Sequence, residues 1–259
     1  MSEIYLSSTL MWNLPLKDFM ELAHSLHAAG LEVWAQQFFY QGFEPAEYQY
    51  YAHIYNLKTL VHSCSWDLNL SSINATIREA SIKAVKDSIK LAHKIQAREV
   101  TVHPGHMTQP AFRKESSMLM QDSLRQIYEY ARKKNMPISL EIMEKIKKEF
   151  VTDEAGMREV TGALFDNFYY TLDLAHCDSV EEMFHILDTM PHLSKLHISN
   201  RRGPQYHTPI PDGDFPFARL LPRLNTYGIP MVVEGCDTTP DLKVLHKNVD
   251  FLVEQGGFQ

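Results

Sequence analysis

Six short apolar runs in this chain close on a side chain that can bind a cation or move a proton. They are "LVH" on His62, "VTVH" on His103, "SLE" on Glu141, "TLD" on Asp173, "KLH" on His197 and "VVE" on Glu234. Imidazole nitrogens and carboxylate oxygens in one place are the donors that borderline and hard divalent ions take. Without such an ion, crowded carboxylates repel and some must bind protons. His176, three residues beyond Asp173, and His207, in a long irregular stretch, are placed to join the same group. A lone histidine at a strand end is ordinarily a polar cap with a satisfied hydrogen bond. Six runs that all close in this way ask for a common cause.

The cause lies in the elements that carry them. Strand patterns fall near Ile4–Ser7, Leu31–Trp34, Thr59–His62, Glu99–His103, Ile138–Glu141, Tyr169–Asp173, Lys195–Ile198 and Met231–Glu234. Helical spacing fills the gaps between them. Over residues 72–96, Ile82, Val85, Ile89 and Ala92 fall three or four apart on one face, and Ser71, Ser72 and Asn74 offer capping groups. Over residues 112–134, Leu119, Leu124, Ile127 and Tyr130 face inward, and Pro137 then forbids further helix. Eight strands alternating with eight helices predict an α/β fold, a parallel sheet closed into a (β/α)8 TIM barrel, as one domain over residues 1–259. A doubly wound open sheet usually has a glycine-rich turn after its first strand, and "IYLSSTLMW" has no glycine. In a closed barrel the C-terminal strand ends converge on one rim, where the active sites of this fold lie. The stretch 199–216, "SNRRGPQYHTPIPDGDFP", is long enough to be a functional loop.

Composition narrows the partners. Thirty-two acidic against 25 basic residues give a formal charge of −7, which disfavours a nucleic-acid partner because such binding draws on counterion release at a basic face. Three well-separated cysteines point to reduced thiols rather than a disulfide framework; Cys64, Cys177 and Cys236 read as small buried residues beneath the rim. No apolar run reaches membrane-spanning length, and "MSEIYLSSTLMWNLP" lacks the features of a signal peptide, so a cytoplasmic location is expected. Trp12, Trp34 and Trp66 fall at or just after strand ends and are assigned no role.

The segments "HSCSWDLNLSS…IREASI", "VHPGH", "SLEIME", "TLDLAH", "LHISNRRG…YHTPIPDGDF" and "VVEG" together resemble the xylose isomerase-like barrel superfamily. That group holds sugar and sugar-phosphate isomerases and epimerases, and also AP endonucleases of the endonuclease IV type. The resemblance implies that Glu141, Asp173, His197 and Glu234 hold one catalytic divalent metal, manganese first, with zinc, cobalt or magnesium as alternatives. It implies a substrate-binding role for His176. His62, His103 and His207 then contact substrate or an additional metal. The endonuclease branch would use His62, His103, Glu141, Asp173, His176, His197, His207 and Glu234 around three zinc ions. There, however, Gln205 replaces the aspartate expected two residues before His207, and "WAQQFFYQGFEPAEYQYY" contains no Lys or Arg to grip DNA. The sugar branch is therefore favoured, with a sugar or sugar phosphate as partner; a homo-oligomer is left open, since many members of the family pair through the barrel rim. In the chemistry expected, a metal-chelated carbonyl loses a proton from the adjacent carbon to give an enediolate, with Glu141 and Glu234 as the carboxylates that take and return it. Arg201 is a further substrate-binding candidate, for a carbonyl oxygen or a phosphate. A barrel that binds carbohydrate without turning it over is the third reading.

Overall fold

A computed structural model describes residues 2–258. The strands are β1 (Ile4–Ser7), β2 (Gly30–Trp34), β3 (Lys58–His62), β4 (Val100–Val102), β5 (Ile138–Ile142), β6 (Tyr169–Asp173), β7 (Leu193–Ile198), β8 (Asn200–Arg202), β9 (Gln205–Thr208) and β10 (Met231–Val233). All except β8 and β9 form one closed parallel barrel in the order β1-β2-β3-β4-β5-β6-β7-β10, with β10 returning to β1. The expected (β/α)8 TIM barrel is the fold observed. No helix among the described residues is long and apolar enough to cross a membrane.

Several strand bounds shift by a residue or two, the last strand ending at Val233 instead of Glu234, and three larger differences have local reasons. The strand expected to reach His103 ends at Val102, because Pro104 has no N–H with which to continue a ladder. Where one helix was expected after β2 there are two, α2 (Ala35–Gln41) and α3 (Pro45–Ile54); they join α1 (Leu16–Ser25) in the outer layer. Gly42 leaves α2 at φ 68°, a left-handed cap that glycine takes without strain, and Pro45 opens α3. The stretch 199–216, expected to be irregular, carries the antiparallel β8–β9 hairpin and a short 3-10 turn.

The helical periodicity holds. Asn74 caps α4 (Ala75–Lys94), its Oδ1 accepting from Thr76 N at 3.0 Å. Ile82, Val85, Ile89 and Ala92 are all buried against the barrel. In α5 (Arg113–Arg132), Leu124 and Ile127 are buried as expected, but Met120 and Ala131 take the innermost positions and Leu119 and Tyr130 are half-buried.

Outward-facing Leu31, Val33, Val61, Val102, Leu140, Leu172 and Ile198 form the apolar core with the helices. Alternation sends their neighbours into the barrel, where the filling is largely polar. Tyr5, Leu60 and Val232 form a small apolar cluster there. Beside them lie Glu32 and Lys195, at 0% and 1% exposure, with Thr101, Ser139 and Thr171. Lys195 Nζ pairs with Glu99 and lies 3.9 Å from Glu32 Oε1, so a column of alternating charge fills the barrel axis.

Candidate metal centre and active site

The C-terminal strand ends deliver four groups to one point. Glu141 (β5), Asp173 (β6), His197 (β7) and Glu234, just past β10, are all buried. His197 Nδ1 lies 3.4 Å from Glu141 Oε2 and 3.5 Å from Glu234 Oε1. Around them stand the other histidines. His62 Nε2 is 3.6 Å and His103 Nε2 3.3 Å from Glu141 Oε2. His176 Nε2 is 3.8 Å from Asp173 Oδ2, and His207 Nδ1 is 3.7 Å from Asp173 Oδ2 and 3.6 Å from Glu234 Oε2. Eight of the nine residues singled out in the sequence thus share one bowl.

Arg201 is the ninth and points elsewhere. Its Nη1 donates to Cys177 O at 2.6 Å and to Asp178 Oδ1 at 3.1 Å, and its Nε and Nη2 donate to Gly203 O. The guanidinium lies over the Tyr206 ring, bracing the β8–β9 hairpin.

Partners behind the bowl aim the rings. His62 Nδ1 is 2.8 Å from Ser63 O, and His176 Nδ1 is 2.9 Å from Ile142 O, which turns each Nε2 toward the carboxylates. Trp34 stacks face to face on His62, 4.0 Å between ring centroids. His197 is aimed by a residue absent from the sequence reading, Glu32, whose Oε2 lies 2.8 Å from His197 Nε2 and leaves Nδ1 facing the cluster. Thr101 Oγ1 donates to Glu32 Oε1 at 2.6 Å. The available signal was a charged residue in the middle of the apolar run "GLEVW", on the face that alternation sends inward.

The charges are strongly coupled. Burial pushes the Glu234 carboxyl up to about 7, and Asp173 adds to this against the pull of His197. Burial acts on Glu141 too, but His103 and His197 overcome it and hold its carboxyl well below the usual range. The His197 imidazole resists burial because Glu234, Glu32 and Glu141 raise it well above the ordinary value. His103 rises to about 8, its burial outweighed by Glu141. Glu32 falls to about 2, since His197 and Lys195 more than offset its burial.

Among the buried atoms facing one another here that have no hydrogen-bond partner in the protein are one from each of these four residues, Glu141 Oε2, Asp173 Oδ2, Glu234 Oε2 and His197 Nδ1, with His62 Nε2 beside them. Orphaned polar atoms of this kind are costly unless something outside the chain satisfies them. The set of three carboxylate oxygens and one imidazole nitrogen suits a divalent cation. Three overlapping groups have ligand atoms within 4.8 Å of one another: His62, His103 and Glu141; Glu141, Asp173 and His197; and Asp173, His176 and His207. Carboxylates that hold a ligating histidine typically change metal affinity by 10–100-fold. Glu32→Ala is accordingly expected to raise the metal Kd about tenfold or more in titration calorimetry; an unaltered Kd would leave Glu32 a purely structural residue.

A cavity of about 200 Å³ lies over the cluster, with Glu141, Glu234, His103 and His207 on its polar side and Trp34 and Trp66 on its apolar side. Trp12 stacks on Trp66, 5.1 Å between centroids, so all three tryptophans build one aromatic wall. Cys64 and Cys177 are buried as expected, whereas Cys236 is exposed and lines the cavity. The loop after β10 turns outward there, with Gly235 at φ 149°.

Comparison with known proteins agrees with this architecture. The chain is 24% identical over 69% of its length to one uncharacterised protein of Methanocaldococcus jannaschii, and 28% identical over 65% to another. These matches span 64% and 62% of the two proteins' own lengths. The fold is shared with 3-keto-D-glucoside 4-epimerase (YcjR) from E. coli, at TM-score 0.78, 14% identity and 99% coverage of both chains. It is shared with D-allulose 3-epimerase from Methylomonas sp., at TM-score 0.77, 15% identity and 98% of both chains. The zinc-bound IolI protein superposes at TM-score 0.77 and 14% identity over 98% of this chain and 97% of that one. The family model described as the xylose isomerase-like TIM barrel matches residues 20–255. With nearly its whole length matched, the chain belongs to the xylose isomerase-like TIM barrel family.

Proposed function

We propose that this protein is a divalent-metal-dependent isomerase or epimerase of a sugar or sugar phosphate, acting in the cytoplasm by proton transfer next to a carbonyl. One observation carries the proposal. Glu141 and Glu234, each buried and each with an unpartnered Oε2, line one small cavity from non-adjacent barrel strands. The family match and the epimerases sharing the fold support the same reading.

Glu141, Asp173, His197 and Glu234 would hold the ion, manganese being the proposed one. A bound dication supplies Lewis acidity, polarising a carbonyl and favouring negative charge beside it. The chain's own residues do the rest. One of Glu141 and Glu234 removes the proton from the carbon next to the carbonyl. If the other returns a proton to the opposite face, a stereocentre inverts; if one group does both, the carbonyl migrates. His176, its ring fixed by Ile142 O, presents Nε2 to a substrate oxygen. Trp34 and Trp66 exclude water and cover the C–H face of the sugar.

A second reading is favoured by the overlapping ligand groups, which share Glu141 and Asp173 and suit more than one ion. That arrangement fits phosphoester hydrolysis of the endonuclease IV kind. Against it stand Gln205 and the face after β2, where Phe39, Tyr40 and Tyr50 are exposed without any Lys or Arg. One experiment separates the two. Metal-loaded protein incubated in D2O with a panel of ketoses and their phosphates is expected to place deuterium on the carbon next to the carbonyl. Chelator-sensitive nicking of abasic DNA with no deuterium uptake would replace the first reading by the second.

A further inference from the structure

Past His103 the cavity over the cluster meets a second, larger one. This groove of about 570 Å³ shares His103 with the first, and Ser65 in its wall adjoins Trp66 in the other. It runs between the segments that follow β3, β4 and β5. Apart from His103, none of its residues serves the reaction proposed above.

The groove is built rather than incidental. Asn69 Oδ1 accepts from Ser71 N at 3.0 Å and His106 N at 3.1 Å, while its Nδ2 donates to His106 O at 2.9 Å. Met107 N donates to Lys148 O at 2.9 Å, so the second segment is tied to both of its neighbours. At Gly105 an added Cβ would lie 2.4 Å from Ser71 N, so the backbones meet there without room for a side chain. Preformed walls of this kind are what a binding site needs.

Two polar atoms in these walls are buried and unpartnered, Ser65 Oγ and Glu149 Oε2. Leaving such an atom unsatisfied is costly, and a ligand group that pairs with it recovers that cost. Burial, with Glu144 adding to it, pushes the Glu149 carboxyl up to about 8, so near neutrality it can donate as well as accept. The lining carries one charge of each sign, Asp67 and Lys148, while burial and the nearby Lys148 hold the His106 imidazole below its ordinary value. With no dominant sign, the lining favours neither a phosphate nor an ammonium group. Hydroxyls, which donate and accept, match it everywhere. Buried Met107 and Met143 supply apolar surface for a ring face. Size points the same way. Small-molecule sites commonly enclose about 300–1,000 Å³, and the cavity over Glu141 and Glu234, at about 200 Å³, falls short of that by itself.

We infer that this groove is a subsite for a second sugar ring, so that the substrate is a glycoside or disaccharide whose reacting unit sits over Glu141 and Glu234. The inference rests on the isomerase or epimerase reading, and its test keeps the two apart. Isomaltulose, a glucosyl-fructose with a free keto group, and D-fructose are the probes. Binding to metal-loaded protein is followed by saturation-transfer NMR and titration, and proton exchange by deuterium uptake in D2O. The glucosyl protons of isomaltulose are expected to receive saturation as strongly as the fructosyl protons, and isomaltulose to bind at least tenfold tighter than D-fructose. Glu149→Ala is expected to bring that affinity ratio to about one, and Ser65→Ala to lower it severalfold, with thermal unfolding confirming that both variants fold. Equal affinities in the wild type, or a ratio indifferent to both substitutions, overturns the subsite whatever the exchange shows. Glu149-dependent binding of isomaltulose, with no deuterium uptake from either sugar or from the panel of ketoses and their phosphates, keeps the subsite and removes the isomerase reading.

Discussion

Glu234→Gln is expected to lower deuterium exchange into substrate at least about 10³-fold, within the range by which a positioned acid or base accelerates proton transfer. The amide keeps the volume and the accepting oxygen of the carboxyl but cannot take up a proton. Glu234 is 5% exposed, so loss of volume there would disturb packing, and the isosteric change avoids this. It also removes one acid from a site where Asp173 and Glu234 oppose each other's ionisation, so the metal-free fold should not lose stability. Glu141→Gln should be equally inactive and bind metal more weakly still, because Glu141 belongs to two of the three ligand groups. The control is His24→Ala, whose ring stacks on Tyr55 at 5.0 Å, away from the bowl. Wild-type exchange in Glu234→Gln would take that residue out of the chemistry.

Stripping the metal should have the next largest effect, on stability. A ligand at about 1,000 times its Kd stabilises the state that binds it by roughly 4 kcal/mol. For a chain of this size that corresponds to a Tm shift of roughly 8–16 °C. The shift should also depend on pH, with a definite sign. The folded carboxyl of Glu234, raised from 4.5 to about 7, contributes stability that is fully present below about pH 4.5 and lost as pH rises through 7. His103, raised from 6.5 to about 8, likewise contributes below 6.5 and loses that contribution through 8. Glu32, lowered to about 2, keeps its contribution above 4.5 and loses it only as pH falls through 2, outside the relevant window. Ligands must also be deprotonated to bind an ion. The Tm gap between metal-loaded and chelated protein should therefore widen from pH 5 to pH 8 in scanning calorimetry. A gap that stays constant, or closes, would argue that these side chains do not share a cation.

Much of this architecture is legible in the chain because strand period and strand ends are local properties. β1 and β6 have the bounds that alternation gives, and the ends of β3, β5, β6 and β7 carry the chemistry to one rim. Local punctuation is less legible: Gly42 and Pro45 split the segment after β2 into two helices, and Pro104 shortens β4. The pairing of Glu32 is not legible in the chain. It depends on Thr101 and His197, delivered by other strands, and on Lys195, which alone in sequence is an ordinary lysine. The aromatic wall is similar. Trp34 ends β2 while Trp12 and Trp66 lie beyond the ends of β1 and β3, and only the course of those two segments brings the three rings together.

The charged column inside the barrel bears on how this protein can change over generations. Removing one partner of a buried ion pair costs roughly 3–5 kcal/mol, whereas exchanging the whole group for apolar residues of similar volume is often neutral. Glu32, Lys195 and Glu99 are therefore expected to tolerate joint replacement better than the loss of any one alone, which makes the three a coupled unit for redesign.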